Sequence, residues 1–153
     1  MKYLIMFLSL VLWCEIAYAD ELCVKDKVCY DVKVAKTDEE RMKGLMFVKE
    51  MPKNEGMLFD FSMYDSKNIA MWMKNTYIPL DMLFIGCNGS IVDFVENTVP
   101  FSLDTIKSDK DFCFVLEVNG GEVKSRGLKI GDKFDGIKID FMTRVIDWLY
   151  NLM

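Results

Sequence analysis

The apolar segments of this chain are short and separated by turn signals, and this limits its fold more than any other feature of the sequence. Between Tyr30 and Val34, apolar and polar residues alternate with the period of a half-buried β-strand. The pair Asn88-Gly89 is a strong hairpin signal, and it predicts that a strand over 82–87 turns back into a strand over 91–97. Short strands joined by frequent turns predict a mainly β domain, a compact sandwich or barrel.

Local signals predict the remaining secondary structure. The segment Thr37-Asp38-Glu39-Glu40 has the pattern of a capping box, in which Thr37 caps a short helix and Glu40 bonds back to the cap. Gly44 is then expected to end this helix in a left-handed conformation. A second helical turn is predicted over 122–128. Further strands are predicted at both ends of 22–35 and over 57–61, 69–73, 80–85, 112–118 and 134–141.

Polar residues interrupt one of the most apolar parts of the sequence, between the blocks 56–59 and 82–85. Packed interiors do not accept polar groups without partners, so these residues either form a satisfied internal network or line a pocket. The sequence leaves both possibilities open. An apolar wall with a few polar groups is typical of a small-ligand site. The candidate ligand-binding residues are Arg41, Trp72, Lys74, Asn75, Thr76, Asp81 and Glu117.

The first nineteen residues have the pattern of a secretory signal peptide. Lys2 gives a basic start, an apolar run follows over 3–13, and Ala17-Tyr18-Ala19 fits a cleavage site with small residues. The apolar run is shorter than the roughly 20 residues that a membrane span needs. We therefore expect cleavage after Ala19, a periplasmic or secreted protein without a stable membrane span, and a single domain over residues 20–141.

Four cysteines remain after the predicted cleavage, an even number that indicates two disulfides in an exported protein. The sequence allows three pairings. We favour Cys23–Cys29, which brackets a short polar turn, together with Cys87–Cys113, which joins two predicted strands.

The chain contains no histidine, which excludes Ser-His-Asp and Cys-His catalysis and histidine-ligated metals. There is also no Cys-x-x-Cys pair of the kind that binds zinc. Methionines such as Met71 and Met73 could bind Cu(I), but methionine at strand positions is usually core packing. We therefore expect no metal and no cofactor. The formal net charge is -5 without a basic block, which argues against nucleic-acid binding.

The C-terminal tail, residues 142–153, has a different pattern from the rest of the chain. Together with Phe141, its apolar residues Val145, Trp148, Leu149 and Leu152 recur at helical spacing. This predicts an amphipathic helix that packs on the domain. Docking to a partner or to a membrane surface is the alternative, although the tail lacks the basic face that lipid binding favours.

Five blocks occur in order along the chain. They are Gly44-Leu45-Met46-Phe47, Gly56-Met57-Leu58-Phe59, Trp72-Met73-Lys74-Asn75-Thr76, Ile78-Pro79-Leu80-Asp81 and Leu116-Glu117-Val118-Asn119-Gly120-Gly121. These blocks resemble the bacterial and archaeal family called domain of unknown function 192, and the resemblance runs from about Val24 to Ile139. It implies a compact β-sandwich-like domain with a short helix, often exported, and it supplies no catalytic residues.

The sequence therefore predicts a non-catalytic module of the bacterial cell envelope, with a small polar ligand or an envelope protein as its partner. The alternative is a carboxylate-dependent hydrolase that acts on a glycan-like substrate. Asp81 with Glu117, or with Glu96, would then be its acid and base. That mechanism requires two carboxyl groups that face one cleft, roughly 5–10 Å apart.

Overall fold

Seven β-strands form a single curled sheet in the computed structural model, which describes residues 20–137. The order across the sheet is β5-β4-β6-β3-β2-β1-β7. Only β2 and β3 pair in parallel, and every other pair is antiparallel. The strands are β1 (Asp20–Val24), β2 (Val28–Ala35), β3 (Glu55–Asp60), β4 (Leu80–Ile85), β5 (Ile91–Val95), β6 (Phe114–Asn119) and β7 (Phe134–Asp135).

The segment over 132–135, which includes β7, brings the two edges of the sheet together. Strand β7 pairs with β1, while the Phe134 N–H donates to the carbonyl of Gly89 at 3.0 Å and the Ile91 N–H donates to that of Asp132 at 2.8 Å. Gly89 has φ 86, and a Cβ there would lie 2.8 Å from the Phe134 carbonyl oxygen. Only glycine allows this approach. The curled sheet confirms the predicted mainly β, barrel-like fold.

Two short helices, α1 (Asp38–Lys43) and α2 (Glu122–Arg126), and a 3-10 turn (Ser66–Asn68) complete the described elements. The capping box is confirmed, because Thr37 Oγ1 accepts from the Glu40 N–H at 3.2 Å and a Glu40 carboxylate oxygen accepts from the Thr37 N–H at 3.0 Å. Gly44 ends α1 with φ 47 and ψ -134. Its φ is positive as predicted, but its ψ lies outside the left-handed helical region.

The two faces of the sheet carry separate apolar clusters. The first includes Leu22, Tyr30, Leu83 and Leu116. The second contains Phe59 and Phe84, and the loops on either side of β4 and β5 cover it. Four methionines of the second cluster are less than 9% exposed, as expected for core packing: Met57, Met71, Met73 and Met82. The second face, built from strands and loops together, carries the site described below.

The predicted strand over 69–73 is wrong. Met71 makes one isolated bridge to Ile106, with two backbone hydrogen bonds of 2.9 Å, and no ladder continues from it. The Met73 N–H donates instead to the carbonyl of Ser102, and Thr76 closes a turn back onto Met73. Buried Met71 and Met73 flank the more exposed Trp72, so the alternation that resembled a strand comes from an extended loop packed on the second cluster.

Both favoured disulfides are confirmed. Cys23 and Cys29 lie directly opposite each other on β1 and β2, with Cα atoms 4.0 Å apart. Cys87 and Cys113 join the end of β4 to the start of β6, with Cα atoms 5.0 Å apart. Disulfides are typical of proteins outside the cytoplasm.

Several expectations fall outside the described range of 20–137. They are the signal peptide over 1–19, the last residues of the predicted strand over 134–141, and the tail helix over 142–153. Within the described range, no helix has the length and apolar character needed to cross a membrane.

We predict that the two disulfides differ in their contribution to stability. Cys87–Cys113 spans 26 residues and Cys23–Cys29 spans 6. On the chain-entropy relation, removal of the longer bridge by Cys→Ala at both positions lowers the free energy of unfolding by about 3–4 kcal/mol, and removal of the shorter one by about 2 kcal/mol. Urea denaturation of the two double variants measures both values. A larger loss from the Cys23–Cys29 pair would contradict the prediction.

Candidate functional site

Asp81 belongs to a satisfied internal network. Its side chain is fully buried, and one carboxylate oxygen accepts from the backbone N–H groups of Asn97 at 2.8 Å and Gly121 at 3.0 Å. The other oxygen accepts from the Val123 N–H at 2.8 Å. These donors belong to the chain after β5 and to the start of α2, whose capping position is Gly121 and carries no capping side chain of its own. Asp81 therefore ties β4 to α2 and is not free to bind a ligand.

Asp81 and Glu117 lie on opposite faces of the sheet. Glu117 is paired with Met82, and Asp81 is paired with Val118. Successive residues of a strand point to opposite faces, so Glu117 shares the face of Met82 and not that of Asp81. The geometry required of this pair in the hydrolase alternative is therefore absent.

A cavity of about 640 Å³ lies over the second face of the sheet, between α1 and the loops that cross this face. Its walls are mostly apolar and include residues that the sequence analysis did not select, among them Leu45, Met46, Phe59, Phe61 and Met71. Five of the seven predicted site residues line it: Arg41, Trp72, Lys74, Thr76 and Glu117. The other two, Asn75 and Asp81, are not part of its lining.

Glu117 is the buried carboxyl group of this cavity. Its side chain is only 4% exposed, and it forms no hydrogen bond or ion pair with any residue in 20–137. Its cross-strand neighbours are Met57 and Met82. Burial in these apolar surroundings raises the pKa of the Glu117 carboxyl from 4.5 to about 8. At neutral pH the carboxyl is therefore mostly protonated and offers both a hydrogen-bond donor and an acceptor.

Arg41 builds a wall of the cavity. Its Nη1 donates to the carbonyls of Lys36 at 2.6 Å and Asp60 at 3.1 Å, and its Nη2 donates to Asp38 and to the Tyr64 hydroxyl, both at 2.6 Å. Hydrogen bonds from Arg41 and Tyr64 lower the pKa of Asp38. The four contacts tie α1 to the end of β3 and to the next loop, so Arg41 positions these segments.

Trp72 and Lys74 lie at the mouth of the cavity. Trp72 is 37% exposed, and the Lys74 Nζ is 5.0 Å from the centre of its ring, a distance suited to a cation–π contact. Lys74 has no ion pair with any residue that the structure describes. The buried Thr76 hydroxyl donates to the Lys74 carbonyl at 3.3 Å, which helps to shape this turn. Trp72 and Lys74 are therefore both placed to contact a ligand.

Asn75 has a structural role between two loops. Its φ is 55, a left-handed value that asparagine tolerates better than most residues. Its carbonyl accepts from the Phe47 N–H at 2.8 Å. Asn75 therefore links the turn over 74–76 to the cavity wall after α1, and its left-handed φ accounts for an asparagine at a position that does not line the cavity.

The apolar walls were missed because their residues come from separate parts of the chain. Leu45 and Met46 follow a helix that itself buries no residue, so no helical periodicity marks them. Phe59 reads as an ordinary strand residue in the sequence. Among the residues described, the only group suited to metal ligation is Glu21 with Cys23 and Cys29, and both of these cysteines are disulfide-bonded.

The chain is similar to proteins whose function is not known. The family model described as "Uncharacterized ACR, COG1430" (DUF192) matches residues 21–136. A crystal structure of a protein of unknown function from Novosphingobium aromaticivorans DSM 12444 is 33% identical, with a TM-score of 0.70, and the match covers 75% of this chain and 83% of that chain. The resemblance predicted from the five sequence blocks is thereby confirmed.

A second solved structure carries a different description. The crystal structure of a putative transcription regulator from Sinorhizobium meliloti 1021 is 42% identical, with a TM-score of 0.68, and the match covers 76% of this chain and 90% of that chain. No curated protein matches the chain.

We predict that Asp81→Asn strongly destabilises the protein. The substitution places an amide NH2 among three backbone N–H donors and removes a buried charge that they stabilise. We expect the free energy of unfolding to fall by about 2–4 kcal/mol, measured by urea denaturation. Asp109→Asn, at an exposed carboxylate, is the control and should change it by less than about 0.5 kcal/mol. Equal effects of the two variants would contradict the role assigned to Asp81.

We predict that Glu117→Gln changes the pH dependence of stability. Because the pKa of Glu117 is 4.5 when unfolded and about 8 when folded, its contribution to stability is fully present below pH 4.5 and is lost as pH rises through about 8. At pH 9 the free energy of unfolding of the variant should exceed that of the wild type by a few kcal/mol, about 1.4 kcal/mol for each pKa unit of the shift. Near pH 4 the two should be similar.

The matched control for this experiment is Glu55→Gln, at an exposed carboxylate on β3. The free energy of unfolding of this variant should depend on pH in the same way as that of the wild type. Urea denaturation at a series of pH values gives the profiles, and a constant difference between wild type and Glu117→Gln at every pH would contradict the prediction.

Proposed function

Because the chain belongs to the DUF192 family, whose members are described as uncharacterised, we propose its function from the cavity itself: it is a non-catalytic module that binds a small amphipathic ligand. The observation that carries this proposal is the Glu117 carboxyl, buried at the cavity and without a partner in residues 20–137.

The contrast between the two buried carboxyl groups supports binding. Asp81 accepts three backbone N–H groups, as expected of a buried carboxylate with a structural role. Glu117 is almost as buried, yet it forms no hydrogen bond with a described residue, and its oxygen atoms keep some solvent contact through the cavity. A ligand that covered this carboxyl without a hydrogen bond would leave it unpaired, at a cost of about 1–3 kcal/mol or more. A ligand with a hydrogen-bonding group would remove this cost, so the site favours such a ligand over an entirely apolar one.

The size and walls of the cavity also suit a small ligand. Its volume of about 640 Å³ falls in the range of roughly 300–1,000 Å³ that is common for ligand pockets. Phe59, Phe61 and Trp72 supply aromatic surface, and Met46 and Met71 supply flexible side chains that adapt to the shape of a ligand.

Binding is better supported than glycan hydrolysis. Glu117 shares the cavity with one other carboxylate, Asp38, among the lining residues. Asp38 accepts hydrogen bonds from Arg41 at 2.6 Å and from the Tyr64 hydroxyl at 2.8 Å. It is thus held at the exposed side of the wall by bonds that complete the wall structure, and these bonds argue against a role as the acid–base partner of Glu117.

The same proposal places the protein in the cell envelope. Two disulfides are consistent with an extracellular or periplasmic protein. The signal-peptide pattern over 1–19 supports export, with cleavage after Ala19. N-terminal sequencing or intact mass of protein recovered from the periplasm tests this, and a chain that retains residues 1–19 would contradict it.

We predict that the cavity binds benzyl alcohol through Glu117. In a Trp148→Phe background, Trp72 is the single tryptophan of residues 20–153, and its fluorescence reports binding at the mouth. Glu117→Leu replaces the carboxyl with an apolar side chain of similar length and so removes the hydrogen bond to the ligand. It should weaken the binding of benzyl alcohol by about tenfold, which corresponds to about 1.4 kcal/mol, without weakening the binding of toluene.

The control is Glu55→Leu, which alters an exposed carboxylate of β3 and should affect neither ligand. If neither ligand changes the Trp72 fluorescence or perturbs the NMR signals of the cavity residues at millimolar concentration, the proposed function is wrong.

A further inference from the structure

We propose that the natural ligand is an amphipathic anion whose acidic group lies at Lys43 and Lys74 while its apolar body fills the cavity. This inference rests on the proposed function and names the class of ligand. A neutral polar group of the ligand, such as a hydroxyl or a carbonyl, would reach Glu117.

The first support is the charge of the cavity lining. Its three cations, Arg41, Lys43 and Lys74, face one ionised carboxylate, Asp38. Glu117 adds no charge at neutral pH while its carboxyl stays protonated. The lining is therefore positive by two charges, whereas the whole chain has a formal net charge of -5. A cleft of one sign with apolar walls concentrates ligands of the opposite sign.

The second support is that the two lysines are available while the arginine is not. The Nη atoms of Arg41 already donate four hydrogen bonds to neighbouring groups. Lys43 and Lys74 are exposed and make no ion pair with the residues described. The contact with the Trp72 ring holds Lys74 at the mouth, so its ammonium group is placed beside the apolar surface that a ligand body would cover.

The third support is the arrangement of polarity across the cavity. The exposed lysines lie at its outer side, and the buried Glu117 lies on β6, on the same face of the sheet as Phe59, which also lines the cavity. A cationic ligand would pass two like charges and then require Glu117 to ionise in apolar surroundings, which is unfavourable. An anion avoids both costs because its charge stays at the wet mouth.

Ligands with one apolar body and different head groups test this inference. Octanoate, octyl phosphate, octan-1-ol and octylammonium share an eight-carbon chain, and each is titrated at pH 7 into the Trp148→Phe protein purified with its disulfides. We expect the anions to bind about tenfold more tightly than octan-1-ol, and octylammonium to bind most weakly. The anion that binds more tightly identifies the head group as carboxylate or phosphate.

Two lysine variants locate the acidic group. Lys43→Gln and Lys74→Gln should each weaken the binding of the anions by about threefold or more and leave the binding of octan-1-ol unchanged. Lys67→Gln, an exposed lysine outside the cavity lining, is the control and should change neither. Added salt should reduce the preference for anions, because the lysines are solvent-exposed.

The outcomes separate this inference from the function on which it rests. If octan-1-ol binds at Trp72 and the anions bind no more tightly, or octylammonium binds as tightly as octanoate, the ligand class is wrong and the binding function stands. If none of the four ligands binds at the cavity, the binding function fails as well.

Discussion

The antiparallel pairing of β4 with β6 is the constraint on which the rest of this structure depends. It sets Met82 opposite Glu117 and Asp81 opposite Val118. Because side chains alternate along a strand, a slip of β4 by one residue would turn Asp81 to the face that carries Glu117. Asp81 would then leave the start of α2 and place a second carboxyl group on the cavity face. One register thus decides both the internal network and the candidate site.

The two buried carboxyl groups show how differently a protein can treat the same chemistry. Asp81 lies where three backbone N–H groups converge, so its charge is satisfied by the fold. Glu117 lies on the other face, between methionines, and burial raises its pKa to about 8. The raised pKa means that Glu117 lowers the free energy of unfolding at neutral and alkaline pH, and no structural role of this residue accounts for that cost. Such a cost is common where a protein binds a ligand.

The loops that cover the second face give the cavity its shape. Two residues with bulky side chains, Phe47 and Phe101, have positive φ values of 68 and 62, which is unfavourable for residues of this type. The N–H of Phe47 donates to the carbonyl of Asn75, and the N–H of Phe101 donates to that of Thr76. Both strained positions are thus anchored to the turn beside Lys74, so this turn organises the mouth of the cavity.

Much of the fold could be predicted from the sequence, because local chemistry determines it. The capping box at Thr37, the hairpin turn at Asn88-Gly89 and the two disulfides depend on near neighbours or on simple pairing, and the structure has all of them. The loop around Met71 was mistaken for a strand because an extended loop and a strand share the same alternation of apolar side chains. Hydrogen-bonded neighbours, which no local pattern encodes, distinguish the two.

The candidate site was predictable only as a set of residue types. The sequence by itself determined that Asp81 and Glu117 are carboxyl groups in apolar strands and that Trp72 and Lys74 lie in a polar interruption. Tertiary structure alone decided that Asp81 is satisfied, that Glu117 is not satisfied within residues 20–137, and that the walls come from α1, β3 and two loops. The physical reason is that burial and partnership depend on strand register and on loops packed from distant parts of the chain, whereas sequence patterns report only the neighbours of each residue.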